Sequence, residues 1–172
     1  SFPLFVRLTL LALILSIIGL FVYHRSIKPK QDILIFAFIF FLGFIIEAIG
    51  VNTGRIFGNY QYGDALGLKL FNTPLFIGLN WLFLTYTGVS ISEKLSGKIS
   101  VQLLIAPTIM LVFDLVLEQL ASKMDMWSWS NASIPMENYI AWWLIGFVFG
   151  CIFKLFKIDT RNPIALVLFL CQ

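Results

Sequence analysis

Glu47, Asp114 and Glu118 are carboxylates set in apolar runs, FLGFIIEAIGV for the first and APTIMLVFDLVLEQL for the other two. An ionisable group at bilayer depth costs roughly 3 kcal/mol or more, so it is rare there and marks a functional site by default. The chain has nine acidic residues, and a third of them lie in these two runs. Asp114 and Glu118 are four residues apart, which puts both on one helix face. Two carboxyls that close in low dielectric do not both ionise readily, and such a pair suits general acid/base chemistry. The same spacing also occurs in metal–diphosphate motifs, but those come in pairs and this chain has one. A tie between helices at the membrane boundary is the structural alternative.

Two aromatic segments accompany the carboxylates. After Glu47 come Asn52, Thr53, Gly54, Gly58, Tyr60, Tyr62 and Gly63. The glycines allow positive φ and close backbone approach, and tyrosines offer hydroxyls on rigid rings. After Glu118 come Trp127, Trp129 and Asn131, then Asn138, Trp142 and Trp143. Asn80 and Trp81 add a polar–aromatic pair. An aromatic belt at the membrane interface explains the rings alone. A pocket wall for a polyene or a carbocation also explains the neighbouring acids. The lone histidine, His24, lies in the basic link YHRSIKPKQD and reads as an interfacial residue. One histidine does not make the ligand set of an iron oxygenase, so water is the expected source of any added oxygen. Cys151 and Cys171 have no CxxC partner and read as apolar packing residues.

The elements that must position these groups follow from composition. The chain is 59% hydrophobic and 12% charged, with mean hydropathy +0.92. A soluble domain carries roughly 25% charged residues. The expectation is an all-α, polytopic integral membrane helix bundle forming one domain over residues 1–172. Five full spans are expected near residues 4–23, 33–51, 74–91, 99–120 and 139–156, with a truncated sixth from Pro163. The net charge of +3 is small and its cations are scattered, which argues against nucleic-acid binding. Three short links hold eight Lys and Arg, whereas the amino-terminal segment and the long links at residues 52–73 and 121–138 hold four. The positive-inside rule then puts the long aromatic links on the non-cytoplasmic side. The parity of the spans puts both long links on one side whichever way the chain inserts.

The segments EAIGVNTGRIFGNYQYGDALG, NTPLFIGLNW, FDLVLEQLASKMDMWSW and IPMENYIAWW occur in this order from Glu47 to Trp143. Together they resemble the membrane carotenoid 1′,2′-hydratases, which include bacterial γ-carotene 1′-hydroxylases and archaeal bisanhydrobacterioruberin hydratases. The resemblance implies a hydratase of the cell or inner membrane that needs no cofactor and no metal. It would add water across the terminal double bond of an acyclic (ψ) carotenoid end. Its partners would be the lipophilic carotenoid, the bilayer and other enzymes of carotenoid biosynthesis. On this reading Asp114 is the first choice as acid, because it lies one turn deeper than Glu118. Glu118 or Glu47 would orient or deprotonate the water. Substrate-binding residues would be Asn52, Thr53, Tyr60, Tyr62, Asn80, Trp81, Trp127, Trp129, Asn131, Asn138 and Trp142. A lycopene-cyclase-type isomerase would use the same acid without the water. A non-catalytic carotenoid-binding or transport protein would use the carboxylates as ties or as a proton path.

Overall fold

The structure, a computed structural model, describes residues 2–131 and 133–172, with side chains described from Leu11 onward. It is mostly helical: α1 (Phe2–Val22), α2 (Pro29–Thr53), α3 (Phe76–Leu95), α4 (Ile99–Ala121), α5 (Met136–Leu155) and the short α6 (Ala165–Leu170). Among the described residues, three helices are long and apolar enough to cross a membrane: α2, α4 and α5. The expected five full spans and truncated sixth are therefore corrected to three. Among its described side chains α1 is apolar over Leu11–Val22. A spanning helix needs about 20 apolar residues, and α6 has six residues in all.

The α3 helix misses for a different reason. It is long enough, but Thr85, Thr87, Ser90, Ser92, Glu93 and Lys94 dilute its apolar character. The fold shows why that is tolerated. α3 is the central helix, touching α1, α2, α4, α5 and α6, and most of its residues are buried against protein. Two of its small hydroxyls bond back to its own carbonyls, Thr87 to Phe83 at 2.8 Å and Ser92 to Val89 at 2.8 Å. The outward faces of α2 and α4 are apolar and exposed, as at Ile33, Phe41, Val112 and Val116. Unpartnered by protein, such a surface suits lipid.

The two long links are not plain loops. They contribute strands β1 (Tyr60–Tyr62) and β4 (Trp127–Trp129), which pair antiparallel with Tyr60 opposite Trp129 and Tyr62 opposite Trp127. Both links therefore lie at one end of the bundle; the parity of five spans does not carry over to three. The Y-x-Y and W-x-W alternation puts each aromatic pair on one face of its strand. A second ribbon pairs β2 (Lys69–Leu70) with β3 (Thr73–Pro74), so Pro74 ends a strand rather than opening α3.

Candidate functional site

Glu47 is one turn and a half from the end of α2 and is 3% exposed. Its Oε2 accepts hydrogen bonds from the Tyr60 hydroxyl at 2.6 Å and the Tyr62 hydroxyl at 2.9 Å. Its Oε1 accepts from the Trp81 indole N–H at 3.0 Å. Three donors from two other elements thus converge on one carboxylate of α2. The helix beneath is shaped for this. At Gly43 any Cβ would run into Trp81, so glycine lets α3 bring that indole close to α2. Gly54 ends α2 in the left-handed region, φ 65°, and turns the chain toward β1.

Glu118 occupies the matching place on α4. Its Oε2 accepts from the Trp127 indole N–H at 3.1 Å and the Trp129 indole N–H at 2.9 Å. Its Oε1 makes no hydrogen bond among the described residues, and Glu118 lines a small cavity. Asp114 is one turn deeper and fully buried. Its Oδ2 accepts from the Asn138 amide of α5 at 3.1 Å, and its Oδ1 has no partner among the described residues.

The cavity has a volume of about 30 Å³ and is lined on its polar side by Glu47, Glu118, Tyr60, Tyr62, Asn80 and Asn138. That volume accommodates one or two waters. Trp127, Trp129 and Trp142 close it, and Trp81 stacks on Trp142 at 4.4 Å between ring centres. Burial, and then the Glu47 charge, push the Tyr60 and Tyr62 phenols well above their ordinary range. Both stay protonated and act as donors. A second cavity of about 30 Å³ adjoins the first through Ile77, Asn80 and Trp127, and apart from Gln172 its other walls, among them Leu13, Phe76 and Phe113, are apolar. A polar cell with two carboxylates thus abuts a mostly apolar one, with only three side chains between.

The structure brings together Glu47, Glu118, Tyr60, Tyr62, Asn80, Trp81, Trp127, Trp129, Asn138 and Trp142. Asp114 reaches the cavity only through Asn138. Three expected binding residues lie elsewhere. Asn52 is exposed and clamps the β2–β3 turn, donating to the Phe71 carbonyl at 2.8 Å and accepting from Asn72 at 2.9 Å. That turn holds Phe71 and Asn72 at positive φ, a strained conformation that Asn52 secures. Thr53 bonds back to the Ile49 carbonyl at 2.6 Å at the exposed end of α2. Asn131 lines a surface hollow of about 360 Å³ on the far side of Trp129. Polarity alone gave no sign of which way these three would point.

Phe57 and Ile77 also line the polar cavity and were not anticipated, since single apolar residues carry no chemical signal. His24 is more enclosed than its place in a basic link suggests. Its side chain is 8% exposed, and its ring nitrogens bond the Tyr86 hydroxyl at 2.9 Å and Asp32 at 3.2 Å, at the other end of the bundle. It ties the α1–α2 link to α2 and α3. Cys151 is half-buried and Cys171 exposed. Among the described residues, no three of His, Cys, Asp and Glu converge as a metal-binding group.

Comparison with known proteins gives one result. The model of a family described as "carotenoid biosynthesis protein" matches residues 5–166. Neither the curated proteins nor the solved structures give a match. The match includes all three carboxylates, the β1–β4 ribbon and the helices that carry them. The chain belongs to the carotenoid biosynthesis protein family.

Proposed function

We propose that this membrane protein is a carotenoid hydratase, acting on the terminal double bond of an acyclic (ψ) end. The observation that carries the reading is the water-sized cavity shared by Glu47 and Glu118 beside an apolar cell. A ψ end entering from the apolar side would reach Glu118 Oε1, the one carboxylate oxygen at the cavity without a hydrogen-bond donor. Glu118 gives its proton to the less substituted alkene carbon, and the tertiary cation forms next to the faces of Trp127 and Trp129, which attract positive charge. A water held between Asn80 and Asn138 adds its oxygen to the cation. Glu47 takes the proton that water loses, and proton return to Glu118 completes the cycle with no net change in the protein.

This moves the acid from Asp114 to Glu118. A proton donor must be within hydrogen-bond reach of the atom it protonates, and Asp114 is behind Asn138. Asp114 then has a positioning role, holding Asn138 toward the water. Hydration is favoured over cyclisation because the cell beside the acid is polar and can hold a water. From the Lys and Arg distribution, the long aromatic links are on the non-cytoplasmic side.

The test is pigment analysis by chromatography and mass spectrometry in a lycopene-producing host. Expression of this chain should give product heavier by one water, and Glu118→Gln should abolish it. Cyclised product of unchanged mass would refute hydration. Normal hydration by Glu118→Gln would refute the assignment of the acid.

A further inference from the structure

The end of the bundle away from the carboxylates holds a much larger cleft, about 810 Å³, between the α1–α2 link, the ends of α3 and α5, the start of α4 and the segment after α5. Its charge is unbalanced. Lys154 pairs with Glu93 at 2.6 Å and Arg161 with Asp159 at 2.6 Å, and these account for both carboxylates of the lining. Arg25, Lys94 and Lys157 line the same cleft and have no carboxylate partner among the described residues.

Two buried polar atoms in the lining point to a ligand independently of the cations. Ser90 is 1% exposed and Gln102 7% exposed, and neither Ser90 Oγ nor Gln102 Oε1 has a partner among the described residues. Buried polar atoms are nearly always satisfied, so two orphans in one cleft need an explanation. The Gln102 amide nitrogen is already committed to the Ser96 carbonyl at 2.6 Å. That fixes its oxygen as a pure acceptor, which calls for a hydroxyl or an N–H. The backbone adds a third observation. Lys157 follows α5 at φ 54°, in the turn closed by the Ile158 N–H to the Phe153 carbonyl at 3.0 Å. Glycine is the usual residue at such a helix end. A lysine held there against its backbone preference suggests a use for its ammonium.

We propose that this cleft binds the headgroup of an anionic glycerophospholipid. The phosphate lies among Arg25, Lys94 and Lys157, and a headgroup hydroxyl donates to Gln102 Oε1. Ile27, Ile99 and Pro163, also in the lining, supply an apolar flank by which the acyl chains leave toward the bilayer. Basic pockets between membrane helices are suited to such headgroups. The site is at the opposite end of α2, α3, α4 and α5 from Glu47 and Glu118, so it stands apart from the hydratase reading.

The test is native mass spectrometry of the purified full chain in detergent. The probes are phosphatidylglycerol, phosphatidylcholine with the same acyl chains, and glycerol 3-phosphate as competitor. Phosphatidylglycerol should be retained at least about tenfold more than phosphatidylcholine. Loss of each cation should weaken retention about fivefold, so Lys94→Gln combined with Lys157→Gly should nearly remove the preference. Glycine suits the left-handed turn, so Lys157→Gly alone preserves the fold and reports the lost charge. Equal retention of the two lipids, or an unchanged preference in a variant with the thermal stability of the parent protein, would overturn the proposal. Displacement of phosphatidylglycerol by equimolar glycerol 3-phosphate would overturn the lipid as ligand in favour of a soluble phosphate ester.

Discussion

Tyr62 and Trp127 are register partners across the β1–β4 ribbon, yet their polar atoms serve different carboxylates. The Tyr62 hydroxyl donates to Glu47 on α2 at 2.9 Å, and the Trp127 indole donates to Glu118 on α4 at 3.1 Å. Tyr60 and Trp129 repeat the arrangement two residues along the ribbon, with rings 5.1 Å apart. The ribbon is a lid whose underside is lined with donors, and it sets the separation of two carboxylates from different helices.

Removing the indole donors should therefore cost more than their ring area. Trp127→Phe and Trp129→Phe keep an aromatic ring but delete the N–H. Each leaves Glu118 short of a hydrogen bond, at a cost of about 1–3 kcal/mol. Denaturant unfolding in detergent would measure it. In the Glu118→Ala background the same changes should cost less, since their shared partner is gone. Fully additive losses would mean the indoles do not act through Glu118.

Glu47→Gln should damage both packing and catalysis. The amide oxygen can accept from the tyrosines or from Trp81, but the amide nitrogen accepts from neither. One donor set is left buried and unpaired, at about 1–3 kcal/mol. Hydration should fall by about 10²–10⁴-fold if Glu47 is the base. A variant destabilised to this extent yet fully active would restrict Glu47 to holding α2, α3 and β1 together.

Alkaline pH should loosen the ribbon. Burial first, and then the Glu47 charge, raise the Tyr60 and Tyr62 phenols above their ordinary 10.0, so the folded protein keeps protons that the unfolded chain releases. Their contribution to stability is whole below pH 10.0 and is lost as pH rises toward the raised values. Melting curves taken from about pH 8 to 11 should fall more steeply for the parent protein than for Tyr60→Phe/Tyr62→Phe. Parallel curves would contradict the raised phenols.

His24→Phe separates the two ends of the molecule. Phenylalanine keeps the ring packing against Phe36 and Tyr86, whose centres are 5.1 and 5.5 Å away, but abandons Asp32 and the Tyr86 hydroxyl. Stability should drop by about 1–3 kcal/mol, while the mass of the carotenoid product stays the same. A changed product would tie this end to the chemistry.

Much of the candidate site was legible in one dimension. Glu47, Asp114 and Glu118 stood out because a carboxylate in an apolar run is costly wherever the chain folds, and that cost is a property of the run itself. The helix bounds set by apolar runs were equally local, whereas Y-x-Y and W-x-W read as aromatic links and showed themselves as strands only in the structure. Other features depended on partners far along the chain. Trp129 opposes Tyr60 only once the bundle has formed. The polar stretch of α3 could be called a span or a core helix only after five other helices were seen around it. Asn52 and Asn138 are the same residue type near helix ends, yet one clamps a surface turn and the other reaches Asp114, because the direction of a side chain is set by which neighbour offers it a partner. The amino-acid sequence by itself determined that buried acids, aromatic donors and apolar helices would occur together. The tertiary structure alone decided which acid faces a water-sized cavity and which stands behind an amide, since that depends on contacts between segments that local preference does not encode.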